Sequence, residues 1–480
     1  MTHFIRQQFL HVGLKGSESD GFALQNRLTD LYYAKLIPAM EKILDQWSPS
    51  GSHVVIDKLE IDAGTIPLDR IDDDLAIAVA AALKQSLEKV VARPGSRQKE
   101  IDQKVSFIQS EKENLWDVFT YFLLNGSLPW SYKLPAGITL EEVFTRELNS
   151  FNSQITVKLP TAKILEVLKS HHAAKRLTMQ FSDGFIQNLV AEVTPGLIQP
   201  VNELNELLLR SEHKTLPAES VQFLKKLIIQ KGIIQITTYN TVSKVRIIEQ
   251  VLTELKRTPE LELLVAEIFD PVLSEIQIQK SAREENKIVN GENPILNKHL
   301  EENIRRPEIH QEEKTKEGIF IENAGLVILH PFLPHFFEEL GIAKEDKLVL
   351  PHKGLALLHY LVTGETASPE HEMVLPKILC GADLSEPVPF DILLSRDELD
   401  EACQMLDAAI THWDALRNTT RDGLRGNFLV RPGKLSQKDD GDWLLQVESR
   451  AFDILLDQLP WGISMIKLPW MKNMLWVEWR

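Results

Sequence analysis

Apolar residues recur along this chain on two periods, a helical one over most of its length and a two-residue one near both ends. Asp20 to Trp47 carries Leu24, Leu28, Leu31, Met40, Leu44 and Trp47 close to helical spacing, which predicts a helix kinked at Pro38, where the ring removes a backbone donor. Strand character precedes it from Phe4 to Val12 and returns from Val54 to Ile61, where Leu59 and Ile61 alternate with Lys58 and Glu60. From about Asp69 a second helix is expected, striped by Ile71, Leu75, Val79, Leu83, Leu87 and Val90. Asp72, Asp73 and Asp74 fall in its first turn, where negative charge complements the helix dipole, so they read as a helix start rather than a metal site. This order predicts a small βαβα unit over residues 1–92, with helices on one face of a short sheet.

Arg93 to Ser110 is polar and reads as a connection. Beyond it, over residues 111–279, helical patterns are broken at Pro129, Pro135, Pro160, Pro195, Pro217 and Pro259, which predicts a middle domain of short antiparallel helices. The segment Trp116 to Trp130 (WDVFTYFLLNGSLPW) is a helix expected to end on a left-handed Gly126, with Pro129 preventing its resumption. A similar glycine-capped pattern recurs from His359 to Gly364, an echo that common helix ends produce without duplication. Residues 280–317 are dense in Glu, Lys, Arg and Asn and predict a flexible charged linker. In residues 318–480, helices are expected over Leu355 to Val362 and Asp397 to Leu416. Short strands are expected at Asn427 to Arg431, Trp443 to Glu448, Ile463 to Leu468 and Met474 to Trp479. The fold class is therefore α+β and predominantly helical, ending in helices packed on a small antiparallel sheet.

Length and composition fit several ordinary cores: 480 residues, 43% hydrophobic and 25% charged. A formal charge of -16 disfavours nucleic acid, whose phosphates are bound by neutralising cations. Two cysteines, Cys380 and Cys403, make no disulfide framework, and no apolar run reaches the length of a membrane span. The expectation is a chain made and kept in the cytoplasm, without stable membrane insertion.

Candidate chemistry is sparse. His330, His335, His352, His359 and His371 cluster in sequence ahead of Cys380, but their gaps are irregular and lack the tight pairing of zinc ligands. Gly426 to Lys434 has the wrong spacing for a phosphate loop and puts Leu435 where a hydroxyl would hold magnesium, so a strand entering a Pro-Gly turn is the better account. No Gly-x-Ser-x-Gly elbow occurs. No catalytic, cofactor-binding or metal residue is assigned. Arg421, Arg425 and Arg431 stand beside Asp422 and aromatic residues, where guanidinium forks hold carboxylates either inside the fold or on a partner. Six of the nine tryptophans lie between Trp413 and Trp479; Trp443 and Trp461 are expected inside, and Trp470, Trp476 and Trp479 are candidate partner contacts.

Three strings in the last third are uncommon: Asn323 to Pro334 (NAGLVILHPFLP), Pro376 to Gly381 (PKILCG) and Asp422 to Gly433 (DGLRGNFLVRPG), with the tryptophan-rich tail behind them. In that order, and with the Gly-Ser-Leu-Pro-Trp ending of the Trp116 to Trp130 segment, they resemble the tape measure proteins of contractile injection systems, the phage-tail-like particles that drive a tube into a target. The resemblance implies a non-enzymatic particle component associated with the tube lumen that sets tube and sheath length, with tube, baseplate or spike proteins as partners. A wholly helical chain would span about 720 Å at 1.5 Å per residue. Strands, prolines and the lack of a long heptad array exclude that limit, so a globular assembly adaptor or chaperone stays open as the alternative. An enzyme delivered as cargo fits the composition but lacks a convergent site.

Overall fold

A computed structural model of the chain describes residues 8, 10–14, 21, 24, 27, 28, 31–47, 52–55, 59–91, 107–135, 137–151, 159–210, 216–256, 258–289, 318–416 and 418–479. Two compact units account for them: Met1–Val118 with Trp130–Lys133, and Phe119–Pro129 with Leu134–Arg480.

In the first unit a π-helical turn, Tyr32–Leu36, runs into helix α1 (Ile37–Trp47). The Ile37 N–H reaches back to the Tyr32 carbonyl, a wider turn placed immediately ahead of Pro38, which cannot donate. Helix α2 (Ile71–Val91) buries Leu75, Val79, Leu83 and Leu87 against Leu31, Leu36 and Met40, the stripe its spacing predicts. Its acidic first turn is anchored by Arg27, whose Nε and Nη2 reach the Asp72 carboxylate at 2.9 and 2.7 Å. Strand pairing differs from expectation. Strand β1 (Ser52–Val55) pairs antiparallel with β2 (Phe107–Ser110), a stretch expected to be connection. The polar residues before Phe107 obscured a four-residue strand, too short for its period to show. Of the strand expected over Phe4 to Val12, residues 8 and 10–12 are described and are not in a strand, and the rest lies outside the described residues.

In the second unit prolines punctuate helices as anticipated. Helix α3 (Glu111–Asn125), whose residues from Phe119 onward belong to this unit, ends at Gly126 with φ 71, and the Gly126 N–H closes on the Phe122 carbonyl; Gly364 does the same for a later helix at φ 77. There follow α4 (Leu140–Phe151), α5 (Thr161–Leu168), α6 (His171–Gln180), α7 (Asp183–Val193), α8 (Ile198–Arg210), α9 (Ala218–Tyr239), α10 (Lys244–Leu255) and α11 (Pro259–Val289). Helix α11 extends past Lys280, the expected start of the linker, and residues 290–317 lie outside the described residues.

Beyond them come β3 (Ile319–Ile321), α12 (Leu333–Glu339), the hairpin β4 (Ala343–Lys344) and β5 (Lys347–Leu348), α13 (Pro351–Thr363), α14 (Val374–Leu379) and α15 (Arg396–His412). Helix α15 begins with a capping box between Ser395 and Glu398. After α16 (Arg421–Leu424), strands β6 (Gly433–Gln437), β7 (Trp443–Val447), β8 (Met465–Ile466) and β9 (Leu475–Trp479) complete a five-stranded sheet in the order β3-β6-β7-β9-β8. Contrary to expectation it is mixed, because β7 and β9 run parallel. The chain between them carries a 3-10 segment, Ala451–Gln458, the long crossover that parallel pairing requires. The strand expected at Asn427 to Arg431 is mostly a π-helical turn, Arg425–Leu429, with the Val430 N–H on the Arg425 carbonyl. A short apolar run does not distinguish strand from helix by periodicity.

Candidate functional site

Helix α6 faces the stretch 368–390 through side chains that have no business in an apolar core. Arg176 and Glu370 have fully buried side chains, and that of Lys377 is 3% exposed. Glu370 receives Arg176 Nε at 2.9 Å on one oxygen and Lys377 Nζ at 2.7 Å on the other. The remaining ammonium protons of Lys377 go to the carbonyls of Leu384 and Glu386 at 3.0 and 2.7 Å, so all three donors are used. Arg176 also donates to the carbonyls of Leu123 and Ser385. Gln180 completes the junction, taking the Glu370 N–H at 2.8 Å and donating to Val388 at 2.7 Å. Burial pulls the Lys377 ammonium below the ordinary lysine range, while Glu370 opposes the shift. A buried charge set so fully paired specifies one arrangement of its elements, and removing one member leaves the others uncompensated.

The uncommon strings converge on this junction and on one another. Gly126 leans on Glu370: a Cβ there would meet Oε1 at 2.4 Å. Lys377 belongs to the Pro376 to Gly381 string. Asn323 donates to the Glu372 carbonyl at 2.8 Å, and the Ala324 N–H binds the Arg431 carbonyl at 2.9 Å. Gly325 lies so close to the third string that a Cβ would come 1.7 Å from the Phe428 carbonyl oxygen. Trp461 and Trp470 close the set, donating to the carbonyls of Ile328 at 2.9 Å and Leu379 at 2.7 Å. These strings make fold contacts, the first and third with one another.

The model of the contractile injection system tape measure protein family matches residues 2–479. The chain belongs to that family. No curated protein and no solved structure matches it. It is accordingly a tape-measure-like structural component of a contractile injection system, and the first and third of the uncommon strings contact one another within its fold.

His359 and His371 share one carboxylate, whereas His335 and His330 have other partners. His359 Nε2 lies 2.7 Å from Glu372, and His371, packed edge-on to Phe122, approaches the same carboxylate at 3.6 Å. Burial holds His371 below the ordinary histidine range. Burial also opposes ionisation of Glu372, but the His359 hydrogen bond and both imidazoles win and keep its carboxyl below the usual range. His335 is exposed beside Glu339, and His330 turns Nδ1 to the Val327 carbonyl. No group of three or more His, Cys, Asp or Glu residues among the described residues is placed to hold a metal ion. Burial raises the Cys380 thiol, leaving it no thiolate character. Among the described residues no helix is long and apolar enough to cross a membrane.

Most residues nominated as partner contacts have internal duties. Arg431 is fully buried, bound to Asp453 at 2.8 Å, with its guanidinium over the Phe452 and Trp479 rings. Arg425 donates to the Tyr360 and Leu361 carbonyls at 3.2 and 3.1 Å, satisfying the last turn of α13. Arg421 forks onto Asp407. Trp470 stacks on Phe337, and Trp479 donates to Asp453 at 3.0 Å. Trp443 and Trp461 are half-buried against the core. Trp476 is the exception: 37% exposed on the outer face of the sheet, it donates to Asp442 at 3.0 Å with Lys438 over its ring. The Glu370 junction escaped the sequence reading because its members are far apart in the chain; a lone lysine in the apolar string PKILCG was its one visible trace.

Proposed function

We propose that this chain takes part in particle assembly as a folded body, docking on tube, baseplate or spike proteins while its helical middle stays packed against the C-terminal part. The observation that carries this reading is the Glu370 junction, which joins α6 of the middle to residues 368–390 through buried charges. Trp476, exposed on the sheet, is the contact residue we put forward for one such partner. A second reading, a ruler that sets tube and sheath length, is favoured by the family's own description and by the run of helices α5 to α11 available to be drawn out.

Deleting whole helix-loop units tests the two. Removing α9 and α10 between Pro217 and Pro259 takes out roughly 40 residues, so a ruler would shorten the particle by about 60 Å if helical when stretched and by about 140 Å if extended. The folded body predicts fewer particles of unchanged length. Proportional shortening in electron micrographs overturns it, and absence of the intact chain from purified particles turns the reading into that of a departed chaperone.

A further inference from the structure

The seam between the helical middle and the C-terminal part carries two histidines with a buried ring nitrogen that meets no partner among the described residues. His371, its side chain 10% exposed, lies edge-on to the fully buried Phe122 of α3, and its Nδ1 is buried without a hydrogen bond. Its Nε2 points to the Glu372 carboxylate at 3.6 Å, which His359 already holds at 2.7 Å. His352, in the first turn of α13, also buries Nδ1 without a hydrogen bond. It is faced by Lys175 of α6, by Glu386 and by Lys377 of α14, and Lys175 is itself paired with Glu386. Glu370 faces His371 but is shared between Arg176 and Lys377. The three carboxylates that face these rings, Glu370, Glu372 and Glu386, thus each have a partner already. A neutral imidazole protonated at Nε2 leaves a lone pair at Nδ1, whereas an imidazolium puts an N–H there with no acceptor. It also adds charge to a seam that holds Arg176, Lys175 and Lys377. His172 of α6 pulls the other way, with Nε2 3.9 Å from Glu386, but it is half-exposed and its gain on protonation is screened by solvent.

We propose that His352 and His371 make this seam an acid-sensitive latch, closed while both rings are neutral and loosened when they take up protons. Burial first, then Lys175 at His352 and His359 at His371, holds both rings below their ordinary value of 6.5 against the pull of the carboxylates. The opened seam therefore binds more protons than the closed one as the pH falls, so closure is full above about pH 6.5 and weakens below it. Opening frees α6 from residues 368–390 and leaves the sheet β6 to β9 folded. The latch belongs to the chain itself and needs no docked partner, which takes it beyond the docking reading above.

Hydrogen exchange of the purified full chain, followed by mass spectrometry at about pH 7.5 and about pH 5.5 and corrected for the intrinsic exchange rate, reads the opening. One unit below the ordinary value, each histidine raises the opening constant by at most about tenfold. Protection in α6 and in residues 368–390 should therefore fall by about fivefold to a hundredfold at the lower pH, while that in β6 to β9 falls less. The double variant H352N/H371N should hold α6 protection level across the two pH values, each single variant should remove part of the response, and His172→Asn should retain it. Protection in α6 that does not change with pH overturns the proposal, as does a loss of the same size in β6 to β9. So does a pH response that H352N and H371N leave intact. Should the double variant not fold, the two single variants decide by the same criterion.

Discussion

Replacing Glu370 with Gln keeps the shape of the junction and removes its only anion. Arg176 and Lys377, with side chains 0% and 3% exposed, would then face each other without compensation. Breaking a buried charge set by removing one partner costs about 3–5 kcal/mol, because the charges left behind have lost both water and partner. At about 2 cal/mol/K per residue, a unit of roughly 350 residues loses about 4–7 °C in melting temperature for that amount. The loss should also be local. Hydrogen exchange should quicken in α6 and in residues 368–390, which share the junction, and much less in the distal sheet β6 to β9. Differential scanning calorimetry supplies the first measurement and exchange mass spectrometry the second. A melting temperature within about 1 °C of the parent, with exchange in α6 unchanged, would refute the claim that this network holds the middle to the C-terminal part.

Other outcomes follow from single contacts. Gly325→Ala should abolish soluble folding, since its Cβ would fall 1.7 Å from the Phe428 carbonyl oxygen, a backbone atom that cannot swing away; recovery from the soluble fraction is the check. Trp476→Ala should leave the melting temperature within about 2 °C while reducing incorporation into particles, because the ring is partly exposed and its hydrogen bond to Asp442 lies at the surface. Burial holds His171, His330, His352 and His371 below their ordinary value of 6.5, so the unfolded chain takes up protons first as the pH falls. Stability from these groups is thus full above about pH 6.5 and declines below it, and His371→Asn should flatten the melting temperature between pH 7 and 5.5. In the native chain iodoacetamide should modify Cys403 and spare the buried Cys380, as peptide mass mapping would reveal.

Helices were legible in the sequence where an apolar stripe and a terminator coincided. Leu75, Val79, Leu83 and Leu87 formed one such stripe, and Gly126 and Pro129 ended another helix. Strands were less legible because the informative neighbours are remote. Phe107–Ser110 is a strand through its pairing with Ser52–Val55, and the parallel β7–β9 contact depends on a crossover that no local pattern announces. At the site, aromatic and cationic residues were visible as types but not as partners. Arg431 was a candidate contact by composition, and the fold gives it to Asp453; Arg176 and Glu370, separated by nearly two hundred residues, gave no local sign of meeting. The uncommon strings identified the family before their physical role was apparent, since close approach at Gly325 and the lean of Gly126 on Glu370 exist only in three dimensions.

The central claim, that the middle and C-terminal parts act together as one folded body, is tested most directly at the ion pair between Lys175 and Glu386. A zero-length carbodiimide converts that pair into an amide only while α6 and residues 368–390 remain packed. Quantified by mass spectrometry, the Lys175–Glu386 link should form to the same extent in the isolated chain and in the chain within intact purified particles. A link that forms readily in isolation and vanishes on incorporation would mean that the middle is drawn out inside the particle, and the ruler would replace the folded body.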